Sequence, residues 1–340
     1  MSQLPKHILV IRLSALGDVA MTVPVISALI KQYPSLKITI LTRSFFKPIF
    51  KGIDNVTMYP VDLKGKHKGI MGMYKLSREL KKLDIDAVAD LHNVLRSNLL
   101  KIFLKESIFL QINKGRNEKK DLISGKVFKQ LKTTHQRYAD VFTKLGFQID
   151  LSNPVFPKSQ KINDYIGIDK ITSEKWIGIA PFAQYDSKMY PLNLMEEVIN
   201  ELSKQYSLFL FGGGKREVEI LQSFENKFDN VWNLAGKFSL DEELILMSNM
   251  DVMLSMDSGN AHMAAMLGIE VITVWGVTHP FAGFSPFNQS LENSILSDRE
   301  KFPKIPTSVY GNKFPKEYKY AAQSISPNTI VSKILFCLDS

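Results

Sequence analysis

The chain has 340 residues, more than one domain usually holds, so two domains of roughly 150 residues each are expected. With 45% hydrophobic residues, 23% charged residues and no apolar run of about 18, it reads as a soluble globular protein without a membrane span. A single cysteine, Cys337, excludes an internal disulfide and a thiolate metal site, while the formal charge of +9 favours an anionic partner: nucleic acid, a membrane surface or a phosphorylated small molecule.

From the start of the chain, short apolar runs alternate with stretches of helical period, the pattern of βα units around a parallel sheet. The opening "MSQLPKHILVIRLSALGD" lacks the small-residue cleavage site of a secretory signal, so its apolar run reads as a first core strand and the chain is expected to stay in the cytoplasm. Strands are predicted over 7–13, 37–42, 56–62, 86–91 and 107–112, with helices near 20–32, 72–83, 94–105 and 135–146. Basic clusters lie at "KGKHKG" (64–69) and "KGRNEKK" (114–120), but no nucleic-acid motif with interleaved aromatics accompanies them, so nucleic acid is not an expected partner. Residues 148–165 hold two prolines and no sustained period and read as a linker. The rhythm then restarts, with strands over 176–181, 207–212, 231–236, 251–257 and 271–276 and helices near 191–204, 215–227, 239–249 and 259–267. Residues 280–325 read as irregular, and 327–338 as a last helix with Pro327 near its start.

Two doubly wound halves predict a ligand in a cleft between them, because open parallel sheets bind at the carboxyl ends of their strands. Four motifs stand just after predicted strands. In "SALGD" (14–18), Gly17 permits a tight turn, and Asp18 is either a helix N-cap or a functional carboxylate; taken alone, the cap is the simpler reading. The stretch lacks the spaced glycines of a dinucleotide fingerprint. In "SMDSGNAHMAAMLG" (255–268), a strand ends at Asp257 and opens through Ser258, Gly259 and Asn260 into a helix whose free N–H groups could hold a diphosphate. Against this, Asp257 or Ser258 could be a plain cap, and His262 a satisfied histidine on a helix face. In "APFAQYDSKMYPLN" (180–193), Lys188 is either a counter-charge for a leaving phosphate or a solvated loop lysine. In "LFGGGKREVEI" (210–220), Gly212 and Gly213 form a turn suited to a nucleotide, with Glu217 and Glu219 as candidates for a ribose hydroxyl. It is not a P-loop, because the G-K-[ST] ending is missing.

Taken in order, "IRLSALGDVAMTVPVISAL", "DLHNVLRSNLL", "HQRYADVF", "DSKMYP", "LFGGGKREVE", "MDSGNAHMAAMLG" and "VWGVTHP" resemble the ADP-heptose:lipopolysaccharide heptosyltransferases, glycosyltransferase family nine. The resemblance implies an α/β chain of the GT-B fold, two Rossmann-like domains of parallel sheet: an acceptor-binding domain over 1–160, a donor-binding domain over 161–325, and a C-terminal helix, 326–340, that returns to the first domain. It implies an inverting, metal-independent transfer of a heptose or related sugar from an ADP-sugar, a substrate rather than a cofactor, to the anionic inner core of lipopolysaccharide. That acceptor suggests a peripheral location at the inner face of the cytoplasmic membrane. Asp18 is then the general base and Lys188 the cation at the donor phosphates. Gly212, Gly213, Glu217, Asp257, Ser258, Gly259, Asn260 and His262 would form the donor site. On the acceptor side the resemblance points to Ser14 and Gly17, with Lys64, Lys66, Lys68, Arg96, Arg116 and Lys120 as contacts for anionic groups, although each alone reads as a solvated surface charge. Two positions depart from the family pattern, Phe182 in place of a glycine and Tyr190 in place of a tryptophan, and both are expected near the nucleotide. A glycosyltransferase of the same fold using another nucleotide-sugar or acceptor, a nucleotide-sugar epimerase, and a non-catalytic binder of nucleotide or glycolipid are the alternatives.

Overall fold

A computed structural model describes residues 4–105, 108–159, 162 and 173–339. The chain divides into two compact units, one made of the described residues up to Lys114 with Thr133–Pro157, the other of Gly115–Lys132 with the described residues from Lys158 onward.

In the first unit, β1 (His7–Ile11), β2 (Lys37–Thr42), β3 (Val56–Pro60), β4 (Ala87–Asp90) and β5 (Ile108–Gln111) form a parallel sheet in the order β3-β2-β1-β4-β5. Ile8 lies opposite Ile38 on one side and Ala87 on the other. Residues 8–11 are fully buried, because helices cover both faces of a parallel sheet and its strands must be apolar throughout. Five helices accompany the sheet among the described residues: α1 (Leu16–Ala20), α2 (Thr22–Gln32), α3 (Gly69–Leu80), α4 (Leu95–Phe103) and, after α5 (Arg116–Ile123) of the second unit, α6 (Thr134–Lys144). Helix α3 buries Met73, Leu76 and Leu80 against Leu9, Ile11 and Val88 of the sheet, Leu100 of α4 and Leu104 just after it. Its Gly72 is required by contact: a Cβ there would lie 2.2 Å from the carbonyl carbon of His67. Helix α6 starts at a reciprocal cap, in which Gln136 N–H donates to Thr133 Oγ1 (3.2 Å) and Thr133 N–H donates to Gln136 Oε1 (2.9 Å).

The second unit repeats the winding. Strands β6 (Trp176–Ala180), β7 (Ser207–Leu210), β8 (Val231–Asn233), β9 (Val252–Met256), β10 (Glu270–Trp275) and β11 (Ser294–Leu296) lie in the order β11-β10-β9-β6-β7-β8. Its helices are α5 (Arg116–Ile123), α7 (Leu192–Leu202), α8 (Lys215–Glu225), α9 (Leu240–Met247), α10 (Gly259–Met266) and α11 (Pro327–Leu338). In both sheets the opening strand is central and the strand order reverses beside it, between β1 and β4 and between β6 and β9. Loops leaving the carboxyl ends of these strands diverge there and leave room for a ligand.

Three features differ from the sequence reading. Residues 115–132, expected in the first domain, belong to the second unit: they carry α5, and Leu131 N–H donates to the carbonyl of Phe281 (2.9 Å). Residues 280–325 contain β11, which pairs parallel with β10 through Val274 opposite Ile295; three residues are too few to show a period. Helix α11, expected to return to the first domain, packs on α7, β9 and β10 of its own unit, with Ile330, Val331 and Ile334 buried. The predicted linker extends over positions outside the described residues. Because Ile334 is fully buried, Ile334→Ala should cost about 2–4 kcal/mol, read as an earlier urea transition of the second unit.

Candidate active site

At the end of β1 the chain leaves the core through Arg12, whose buried guanidinium donates to the carbonyl of Leu91 (2.8 Å) and pairs with Asp18 Oδ2 at 2.5 Å. Burial disfavours the charge of Arg12, yet Tyr138 and Asp18 more than offset this and its pKa lies above the ordinary value. Asp18 is not the N-cap. That position is Ala15, and Asp18 is the third residue of α1, where its Oδ2 accepts the Ala15 N–H at 3.3 Å. Its side chain is 29% exposed, and both contacts fall on Oδ2. The hydroxyl of Tyr138 donates to the Asp18 carbonyl (3.3 Å), so α6 supports the turn from behind.

Two further groups brace this turn. Leu13 N–H donates to His92 Nδ1 (3.3 Å), and burial together with the charges of Arg12 and Lys114 lowers the imidazole pKa to about 3. A neutral ring with its proton on Nε2 matches that acceptor role. Asp90, fully buried at the end of β4, accepts from the N–H groups of His92 (2.9 Å) and Asn93 (2.8 Å) and from Gln111 Nε2 (2.9 Å). Neither His92 nor Asp90 is singled out by sequence reasoning, although both sit in the quoted "DLHNV" stretch. Ser14 is half-buried, and Gly17 is buried inside α1 rather than in a loop. Lys64, Lys68 and Arg96 are exposed, whereas Lys66 pairs with Glu79 at 2.7 Å. Arg116 and Lys120 are exposed on α5, so they belong to the other unit.

In the second unit Lys188 is not a solvated lysine. Its side chain is 13% exposed and its Nζ lies 2.8 Å from Asp257 Oδ2, which also accepts the hydroxyl of Thr278 at 2.8 Å. The lysine stem is fixed by packing: a Cβ at Gly311 would meet its Cγ at 2.6 Å. The preceding residue is pinned as well, since the Ser187 carbonyl accepts the Val277 N–H (3.1 Å) and the Ser187 hydroxyl donates to the Gly311 carbonyl (2.5 Å). Gly276 makes this approach possible, because a Cβ there would stand 2.2 Å from the Ser187 carbonyl oxygen. Thr278 lies within the quoted "VWGVTHP"; Gly311 lies in the stretch read as irregular, where no local signal marks it.

Beside this pair stands the start of α10. Ser258 is its N-cap, but the hydroxyl contacts Ser255 Oγ (3.2 Å) and makes no capping bond, so it does not play the plain capping role. Gly259 and Asn260 are half-buried in the first turn, where N–H groups and the helix dipole favour an anion. His262 is buried on the same helix. In the glycine-rich turn after β7, Glu217 Oε2 accepts the Gly213 N–H (2.7 Å) and lies 3.2 Å from where a Cβ of Gly212 would stand. Glu217 therefore shapes the turn, and Glu219 points to an exposed position. Phe182 and Tyr190 are core residues. Phe182 packs beside Gly212, and the hydroxyl of the fully buried Tyr190 donates to the Ile325 carbonyl (2.9 Å). Among the described residues no group of three His, Cys, Asp or Glu side chains could hold a metal ion, and no helix is long and apolar enough to cross a membrane.

Two parallel-sheet α/β units with their distinctive polar groups after the central strands define the GT-B fold. The family model for glycosyltransferase family 9 (heptosyltransferase) matches residues 73–313, and the chain belongs to that family. It is 26% identical over 319 residues to the lipopolysaccharide core heptosyltransferase OpsX of Haemophilus influenzae, covering 89% of this chain and 88% of the relative. Among solved structures it is similar to a family 9 glycosyl transferase of Veillonella parvula (TM-score 0.77, 21% identity, 98% of each chain covered). It is also similar to the E. coli heptosyltransferase WaaC with ADP (TM-score 0.66, 20% identity, 98% of each chain).

Two predictions follow from this geometry. Gly276→Ala forces the Ser187 carbonyl and with it Lys188 to move, and should lower kcat/KM for the sugar donor by about ten- to a hundredfold in a steady-state assay, although residue 276 carries no reacting group. The His92 pKa of about 3 is depressed from 6.5, so the unfolded chain binds a proton that the folded chain refuses, and stability falls as pH drops from about 6.5 towards 3. His92→Gln should flatten that acid limb in urea titrations run across this pH range.

Proposed function

We propose that the protein transfers a heptose with inversion, without a metal, from ADP-heptose to the inner core of lipopolysaccharide, acting peripherally at the inner face of the cytoplasmic membrane. The observation that carries this reading is the Lys188 ammonium held at Asp257 beside the uncapped start of α10. A fixed cation and a set of N–H donors together suit a departing diphosphate. Family membership and the likeness to an enzyme solved with ADP support the donor class.

In the proposed reaction the acceptor hydroxyl oxygen bonds to the anomeric carbon as the bond from that carbon to the diphosphate oxygen breaks. The hydroxyl proton passes to Asp18. Arg12 and the Ala15 N–H hold Oδ2, which leaves Oδ1 as the oxygen that takes the proton. The electron pair of the broken bond leaves on the diphosphate, whose added charge is met by Lys188 and the amides of the first turn of α10. Asp257 presents the lysine before the donor binds, and Thr278 keeps the carboxylate in place when the lysine turns to phosphate. Ser14 and Gly17 line the acceptor turn, while the exposed Lys64, Lys68 and Arg96 supply positive charge for an anionic acceptor.

The test is a transfer assay with ADP-heptose and core-truncated lipopolysaccharide, alongside calorimetry with the ADP-sugar. Asp18→Asn should lower kcat by about a hundred- to ten-thousandfold and leave donor affinity unchanged, as expected for loss of a general base. Lys188→Ala should weaken donor binding and slow transfer. Comparable turnover by Asp18→Asn removes that residue as the base, and conversion of the ADP-sugar without any acceptor favours an epimerase.

A further inference from the structure

The first unit exposes a group of large apolar side chains that its own fold leaves uncovered. Ile70 (67% exposed), Met71 (66%) and Tyr74 lie on α3, Leu95 (77%) and Ile102 lie on α4, and Ile108 begins the edge strand β5. The two helices are neighbours, packed together through Leu76, Leu80, Leu100 and Leu104, and the ring of Tyr74 meets that of Phe103 edge-on at 5.6 Å. On α3, residues 70, 71, 74 and 78 fall along one stripe of a helix whose opposite stripe, Met73, Leu76 and Leu80, is buried. Isolated exposed apolar residues are ordinary, but a contiguous set on two adjoining helices marks a contact surface.

The charges around these side chains decide what the surface meets. Lys68, Lys75 and Arg78 are exposed on or just before α3, Arg96 and Lys101 on α4, and Lys64 in the loop ahead of α3. Among the described residues of the two helices no exposed position is acidic; Glu79 is half-buried and is taken up by Lys66, His67 and the hydroxyl of Tyr59. A symmetric contact between two copies would set these cations against one another without a carboxylate to neutralise them. A bilayer with anionic headgroups accepts both components, apolar side chains at the acyl boundary and lysines and arginines at the phosphates.

We infer that the exposed face of α3 and α4 docks the protein on an anionic lipid surface, with Ile70, Met71, Leu95 and Ile102 entering the interface and Lys75, Arg78 and Lys101 at the headgroups. The inference deepens the peripheral-membrane part of the proposed function, and it is tested on vesicles that contain no acceptor, so it can fail independently of the transfer reaction.

The experiment is co-sedimentation of the full chain with phosphatidylcholine vesicles and with mixed phosphatidylcholine–phosphatidylglycerol vesicles, with sedimentation velocity of the free protein. Wild type should bind the anionic vesicles, weakly the neutral ones, and release with salt. The double variant Lys75→Glu with Arg78→Glu should reduce binding about tenfold or more, and Ile70→Ser with Met71→Ser should reduce binding that salt does not release. Lys31→Glu with Lys37→Glu, an equal charge change at exposed positions elsewhere on the first unit, should leave binding near wild type. All three variants should fold, judged by circular dichroism, and transfer sugar to a soluble truncated acceptor at the wild-type rate. Equal binding by the α3 variants and the Lys31 and Lys37 control overturns the inference, as does absence of wild-type binding to anionic vesicles. A concentration-dependent dimer abolished by Ile70→Ser with Met71→Ser overturns it in favour of a second copy.

Discussion

A strand in a parallel sheet covered on both faces is nearly all apolar and tolerates at most a small hydroxyl along its length, such as Thr39, Ser255 or Thr273, so charged side chains enter where the strand ends. In this chain that constraint is followed closely. The run 8–11 of β1 is wholly apolar and is followed at once by Arg12; β9 ends in Met256 and is followed by Asp257; β10 ends in Trp275 and leads through Gly276 to Thr278. The segments that follow β1, β6, β9 and β10, including the first turn of α1, therefore carry Asp18, Lys188, Asp257 and Thr278.

Each unit solves the same electrostatic problem at its strand ends with a cation and a carboxylate, but with different cations. In the first, Arg12 is buried and tied to a backbone carbonyl as well as to Asp18. Its planar fork can make both bonds at once and remains charged, which suits a fixed orienting role. In the second, Lys188 is a point charge on a flexible stem, clamped along its carbons by Gly311 and at its tip by Asp257. Only the last bond must change for the ammonium to turn towards another anion. Removing one member of such a poorly hydrated pair typically costs about 3–5 kcal/mol, so both pairs contribute to stability.

The first unit also organises charge on its outer side. Asp62 accepts the N–H groups of Lys64 (3.2 Å), Gly65 (2.8 Å) and Lys66 (3.0 Å), which lowers its pKa and folds the basic loop around one carboxylate. Glu79 anchors the far side, its pKa lowered to about 2 by Lys66 and by the hydroxyl of Tyr59. The run "KGKHKG" is thus folded around Asp62 and tied to Glu79, and Lys64 and Lys68 remain exposed on it.

The sequence by itself determined the parallel α/β class, the two doubly wound halves, ten of the strands by position, and the family, because apolar periodicity and short glycine-containing motifs are local properties that survive without tertiary contacts. It singled out Asp18, Lys188 and Asp257 as candidates for the same reason: each follows a strand legible in the apolar pattern. Only the tertiary structure decided which role each local signal plays. Asp18 gave up the N-cap position to Ala15 and met Arg12 instead, and Lys188, ordinary as a loop lysine, is held by Asp257 and by packing against Gly276 and Gly311, with its neighbour Ser187 bonded to Gly311 across 124 residues of sequence. Residues 115–132 joined the second unit, and β11 formed in a stretch without periodicity, because long-range pairing compensates where local preference is weak. Burial and partner choice depend on what the folded chain brings to a residue from far away, and that information is not carried by its neighbours.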